Sequence, residues 1–280
     1  MSVTPADDNL VSAGNDAEIA APVASRWKRN ENFILGAISV IGFLLFWEAS
    51  AAFNWANPLF TSSPSRIWTA GSEMVRDGSI WPDLAVSAEE FVLGYGLAVA
   101  VGVPLGVLMG WYSRLNAVLD PFVNALYATP RIALMPLVII WFGVDLSAKI
   151  AIIFLSTVFP ILVNTMTGVR TMERDFVKVA RSFGASDGQL FKTVALPSSV
   201  PNLLTGLRLG LGHALIGIVV GEMYGASAGI GYMMTTAGAT FQTDKVMVGI
   251  IIIAAAGMGL TQVLRMIEKR FDVWRPDHHV

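Results

Sequence analysis

Apolar residues in this chain come in long blocks, not in short alternations. Six stretches stand out, at residues 33–53, 88–110, 119–141, 150–169, 203–223 and 246–266. Each is close to the roughly 20 apolar residues that a helix needs to cross the hydrocarbon core. The pattern predicts an all-α membrane protein with about six transmembrane helices, because a helix satisfies its backbone groups internally. The third stretch carries Pro130 and Pro136. It is expected to be broken or kinked, which a bundle tolerates where neighbours re-satisfy the freed carbonyls. Residues 1–30 show no apolar period and are rich in Ala, Asp and small residues. They are expected to form a disordered tail. Trp27, Lys28 and Arg29 then lead into the first stretch, which reads as an uncleaved anchor.

The longest patterned polar segment between apolar blocks is 171–201, TMERDFVKVARSFGASDGQLFKTVALPSSVP. It reads as two short amphipathic helices with a glycine elbow. Thr171 is placed as an N-cap, with Glu173 and Asp175 in the first turn, where the helix dipole favours acids. Phe176, Val179, Ala180 and Phe183 follow at helical spacing as one apolar stripe, with Arg174, Lys178 and Arg181 beside it. Gly184 fits the position just past a helix end. Ser186 and Gln189 form a capping box for a second helix, with Leu190, Phe191 and Val194 as its apolar face and Pro197 as its stop. Two other connections carry signals. Ser62-Ser63-Pro64-Ser65 begins a short helix over about 66–75, and the glycine-rich 225–244 predicts tight turns or a re-entrant piece.

Charge orients this pattern. Of the 19 Lys and Arg, Arg66, Arg76, Lys149 and Lys245 fall on one side of the six stretches. Arg131 and Arg208 lie within or at the edge of spans, and all others fall on the side of the 171–201 segment. The positive-inside rule therefore puts both termini and that segment in the cytoplasm. Charged residues make up 14% of the chain against 54% hydrophobic, a membrane-class balance. With no cysteine, disulfides, thiolate metal sites and cysteine nucleophiles are excluded. Gly102, Gly106 and Gly110, and then Gly206, Gly210, Gly217, Gly221 and Gly225, recur at spacings that let helix backbones approach closely. They serve either packing within the chain or a subunit interface.

Ionisable residues at membrane depth need a partner or a function. Arg131 follows Pro130 in the broken span, and a cation there could attract an anionic substrate. His213 lies midway along the fifth stretch, and Glu222 near its outer end, where a structural or gating salt bridge is expected. Glu89 and Glu90 read as interfacial.

Together these blocks resemble the permeases of ABC importers. Their EAA loop has the general form E-A-A-x-x-x-G-A-x-x-x-x-x-F-x-x-V-x-L-P. Here it stands as Lys178-Val179-Ala180, then Gly184-Ala185, Phe191, Val194 and Leu196-Pro197. Ser63 to Arg66, Leu119-Asp120-Pro121, LMPLVIIWFG from Leu134, Phe159 to Leu162, Thr205 to Leu209 and GASAGIGY from Gly225 are similar to the nitrate/sulfonate/taurine branch. The likeness covers about residues 33 to 275, and Lys178 departs from it where an acid is usual. It implies a MetI-like fold and a homodimer in the cytoplasmic (inner) membrane. Partners implied are two cytoplasmic ABC ATPase subunits and an extracytoplasmic substrate-binding protein. ATP and Mg would act on the ATPase, and no cofactor is expected in this chain. The loop residues Lys178, Val179, Ala180, Arg181, Gly184, Ala185, Phe191, Leu196 and Pro197 would couple to the ATPase. The branch implies a small anion as substrate: a sulfonate, nitrate, bicarbonate or carboxylate. No partner is expected to be nucleic acid.

The chain has no G-x-x-x-x-G-K-[ST] motif, so energy is expected from another polypeptide. An ion-gradient-driven secondary transporter would show paired intramembrane acids and inverted repeats, and neither is evident. An intramembrane enzyme would need a nucleophile and base or a metal cluster at depth, which the lone His213 does not supply.

Overall fold

The computed structural model describes residues 26–55, 57–172 and 174–270. All regular structure among them is helical. The helices are α1 (Arg26–Ala52), α2 (Pro58–Thr61), α3 (Pro64–Arg76), α4 (Ile80–Trp111), α5 (Ser113–Ala128), α6 (Met135–Phe142), α7 (Leu146–Arg170), α8 (Arg174–Ser182), α9 (Asp187–Leu190), α10 (Leu196–Met223), α11 (Ile230–Ala239) and α12 (Thr243–Lys269). A 3-10 turn, Arg131–Leu134, separates α5 from α6, and a π-helical turn, Phe191–Ala195, joins α9 to α10.

Helices α1, α4, α7, α12 and the continuous Asp187–Met223 rod are long and apolar enough to cross a membrane. The sixth stretch is the α5–α6 pair, bent by 93°. The prolines explain that bend. Thr129 is extended ahead of Pro130, as a residue before proline prefers. Pro136 lies in the first turn of α6, where its missing N–H removes no helical bond.

Several element boundaries differ from the expected ones. Helix α1 begins at Arg26, so residues 26–30 are helical instead of belonging to the tail; residues 1–25 lie outside the described residues. Helix α4 begins at Ile80, well before residue 88, because Pro82 and Asp83 suit a first helical turn as well as a loop. Pro197 does not stop the second helix of the 171–201 segment. The chain is helical from Asp187 to Met223, with Pro197 at the start of α10 and Pro201 inside it. The π turn just before accommodates this: Leu196 N–H bonds Phe191 C=O, one residue farther back than an α-helix would use.

Helix α7 occupies the centre, with Ile153, Thr157, Ile161 and Thr165 fully enclosed. The glycine stripes clasp it from two sides. A Cβ on Gly94 of α4 would lie 2.6 Å from Cβ of Ile153, and one on Gly206 of α10 would lie 2.8 Å from Cβ of Asn164. Both stripes thus serve packing within the chain, where close approach maximises dispersion contact between helices that gain nothing from leaving lipid. A second core joins α3, α4, α11 and α12 through Ile67, Met74, Ile80, Ile230, Met233 and Val248. Helix α1 leaves Phe33, Phe43 and Leu45 exposed, as a lipid-facing helix does.

Contacts between helices define two ends of the bundle. At the knob end, Trp111 of α4 packs edge-to-face on Phe191 with centroids 5.0 Å apart. Arg208 of α10 bonds Glu268 near the end of α12. At the far end, Lys149 of α7 bonds Glu90 of α4. Asp244 of α12 there accepts from Ser62 at 2.6 Å, and Glu48 of α1 from the Ser65 hydroxyl at 2.6 Å. Helix α5 therefore starts at the knob end and α7 at the far end, so the bent α5–α6 pair crosses the bundle. The start of α1 and the end of α12 share the knob end.

Candidate functional site

The polar segment after α7 is a knob of two unequal halves. Thr171 does not cap its first helix. It ends α7 instead, with its Oγ1 donating to Thr167 C=O at 2.9 Å. Helix α8 carries the apolar stripe expected of it, and that stripe is unpartnered: Phe183 is 87% exposed, and Phe176 and Val179 are more than half exposed. Ala180 is half-buried. Lys178 Nζ bonds Asp175 Oδ1 at 2.9 Å on the same surface.

The elbow is built by Gly184, whose φ of +77° no residue with a Cβ adopts cheaply. Gly184 N–H bonds Arg181 C=O at 2.9 Å, and Ala185 N–H bonds Ala180 C=O at 3.1 Å. These two bonds are the Schellman closure of a helix end. Ser186 and Gln189 then make the reciprocal capping box of α9. Arg181 Nη2 to Asp187 Oδ1, at 2.9 Å, spans the elbow from α8 to α9.

The second half is anchored. Leu190 and Ala195 are buried, and Phe191 packs with Trp111, Val107 and Val169. Leu196 is partly exposed, and Pro197 opens α10. The sequence-selected residues therefore divide. Lys178, Val179, Ala180, Arg181, Gly184 and Ala185 lie on the free half, and Phe191, Leu196 and Pro197 at its root.

The membrane-depth residues Arg131, His213 and Glu222 do not share partners. Arg131 sits in the 3-10 turn between α5 and α6, with Nη2 donating to Tyr127 C=O at 2.8 Å and its guanidinium 5.1 Å over the Tyr127 ring. Its Nε is buried without a hydrogen-bond partner. His213 Nδ1 lies 2.9 Å from Leu209 C=O of its own helix.

Glu222 is buried at the far end of α10 and makes no salt bridge among the described residues. Its carboxylate accepts from the Ser87 hydroxyl and from Gly231 N–H. The available cation, Lys149, bonds Glu90 instead, at 2.8 Å. Glu90 is fully buried rather than interfacial. It lies one turn before Gly94 on the stripe that meets α7, a register visible in the sequence. Ser87 and Asp83 had no such signal. They become partners of residues 229–231 only through the fold.

A bundle of membrane-length helices, one of them running unbroken into an exposed helix–glycine–helix knob, is the architecture of a multi-pass membrane protein. The chain belongs to the family described as binding-protein-dependent transport system inner membrane component, whose model matches residues 102–273. It is 32% identical over 254 residues to the taurine transport system permease protein TauC of Escherichia coli (strain K12), covering 89% of this chain and 92% of that protein. It is 35% identical over 243 residues to the putative aliphatic sulfonates transport permease protein SsuC of the same organism, covering 86% and 91%. The fold is shared with a solved structure of the MetNI methionine ABC transporter, at a TM-score of 0.51 and 17% identity, over 67% of this chain and 98% of that one. The protein is thus a multi-pass membrane permease subunit of a binding-protein-dependent ABC importer.

Proposed function

We propose that two copies of this chain form an alternating-access pathway for a small anion, most simply an organic sulfonate. ATP and Mg act on two ABC ATPase subunits bound at the knob end, because this chain has no phosphate-binding loop of its own. The knob end, with the start of α1 and the end of α12, then faces the cytoplasm of a cell with this chain in its inner membrane. That side carries the excess of Lys and Arg. A substrate-binding protein delivers the anion at the far end.

The observation that carries this reading is the exposed Phe176–Val179–Phe183 stripe on a knob whose other half is rooted in α10. An amphipathic helix of this kind seats in a groove on its partner. ATP acts through its different affinity for two states of the assembly, and the rooted knob carries the difference into the bundle. Lys178 is already bonded to Asp175, so the partner groove need not supply an acid opposite it. For the substrate, the support is twofold. Both E. coli relatives are named for sulfonate-bearing compounds. Arg131 has no carboxylate partner among the described residues and keeps an unsatisfied Nε. A guanidinium fork matches a sulfonate's oxygens as it does a carboxylate's.

Co-purification with the ATPase and substrate-stimulated ATP hydrolysis in lipid test the coupling role. Gly184→Pro is expected to abolish both; retained coupling would overturn the assignment of the knob. Uptake of a labelled sulfonate tests the pathway role. Arg131→Ala is expected to raise the concentration needed for half-maximal uptake, and unchanged uptake would remove Arg131 from the pathway.

A further inference from the structure

The far end of α10 holds a joint that the transport reading leaves unused. Three consecutive N–H groups open helix α11. Gly229 N–H bonds Asp83 Oδ1 of α4 at 2.9 Å, Ile230 N–H bonds Ser87 Oγ of α4 at 2.9 Å, and Gly231 N–H bonds Glu222 Oε2 of α10. The Ser87 hydroxyl in turn donates to Glu222 Oε1. Every helix leaves its first N–H groups without internal partners. Here all three acceptors come from other helices. The buried Glu222 carboxyl group, beside Glu90 with its Lys149, is held by two hydrogen bonds and sits at a helix start.

The backbone is shaped around that carboxylate. Gly229 has φ +117°, and a Cβ there would collide with the Glu222 carboxylate; a Cβ on Gly231 would lie 2.7 Å from Val219 C=O. Beside the joint, Lys149–Glu90 ties α7 to α4, and the glycine stripes lock both α4 and α10 on α7. The rod that carries Glu222 next to its end begins at Asp187 in the knob and is helical over 37 residues, to Met223. That is roughly 55 Å at the helical rise.

We propose that Glu222 is a positioning residue that fastens α11 to α4 and α10, so that α11 moves with the knob as one body during the transport cycle. This rests on the transport reading above. Displacement of the knob is then carried along the rod to α11 at the opposite end, without a hinge between them. Alternating access comes from movement of this whole body against its neighbours. α11 does not open on its own.

The protein has no cysteine, so spin labels on Glu89→Cys of α4 and Thr236→Cys of α11, both exposed, report without background. In the complex with its ATPase, the parent is expected to give one narrow distance that is the same without nucleotide and with ATP. Glu222→Gln removes the charge and one of the two acceptor oxygens, and is expected to broaden that distance. It should also lower uptake per ATP hydrolysed by about tenfold, on the scale of losing a buried hydrogen bond to a charged group. Ser87→Ala should act in the same direction with a smaller loss, and it replaces Glu222→Gln if that variant does not assemble. A parent distance that shifts between the two states overturns the proposal. So does a variant that keeps both the narrow distance and parental coupling. If the parent complex shows no ATP-dependent uptake at all, the transport reading falls instead. The width of the distance in parent and variant still decides whether Glu222 holds the joint.

Discussion

Two lysine–carboxylate pairs in this protein have nearly the same length and opposite settings. Lys178–Asp175 on the knob measures 2.9 Å with both side chains largely exposed, while Lys149–Glu90 at the far end measures 2.8 Å with Glu90 fully enclosed. On the knob, water screens the charges and holding two long side chains in place costs entropy. In the bundle, each ion has lost its water, and the partner is what makes the charge tolerable. The first pair can be exchanged for other contacts at little cost. The second cannot open without stranding a charge. The ion pair at the free end is exposed and replaceable, and the one at the far end is enclosed and permanent.

Removing Lys149 should give the largest effect. Lys149→Ala leaves Glu90 buried and unpaired, and is expected to destabilise the protein by about 3–5 kcal/mol, read as a fall in the thermal unfolding midpoint in micelles. Replacing both residues by methionine should recover most of that loss. If the double variant is as unstable as the single one, the pair does more than neutralise itself. Gly94→Ala should come next. It lies one turn from Glu90, and its Cβ would press on Ile153, so α4 is pushed off α7 beside the pair. A loss of about 1–3 kcal/mol is expected from such overpacking. The smallest effect belongs to Lys178→Ala, which should shift stability by less than about 1 kcal/mol. The shift should vanish at high salt. A salt-independent destabilisation would mean that the knob pair is not the exposed, exchangeable contact described above.

Much of this arrangement was legible before the fold was known. Gly184 and the Ser186–Gln189 box predicted the elbow because their conformations are dictated within a few residues. The double proline predicted the broken third crossing for the same reason. Local signals failed where two readings are chemically equal. Thr171 can cap the start of one helix or the end of another, and it does the latter. Pro197 can stop a helix or open one, and the π turn upstream lets it open α10. Glu222 was expected to find a cation. The nearest one was already taken by Glu90, and the start of α11 supplied the positive end instead.

Apolar length, glycine spacing and turn chemistry are properties of contiguous residues. The linear chain therefore settled the membrane class, the membrane-length helices and the break between α5 and α6, the knob and its elbow. Partner choice among residues far apart in sequence is different. Ser87 meets Glu222, and Lys149 meets Glu90, only because α4 and α10 both close on α7 through glycines that leave no room for a Cβ. Which acid is paired with a lysine and which with a helix start depends on the depth and rotation of each helix. Those are set by packing against neighbours, and no local pattern encodes them.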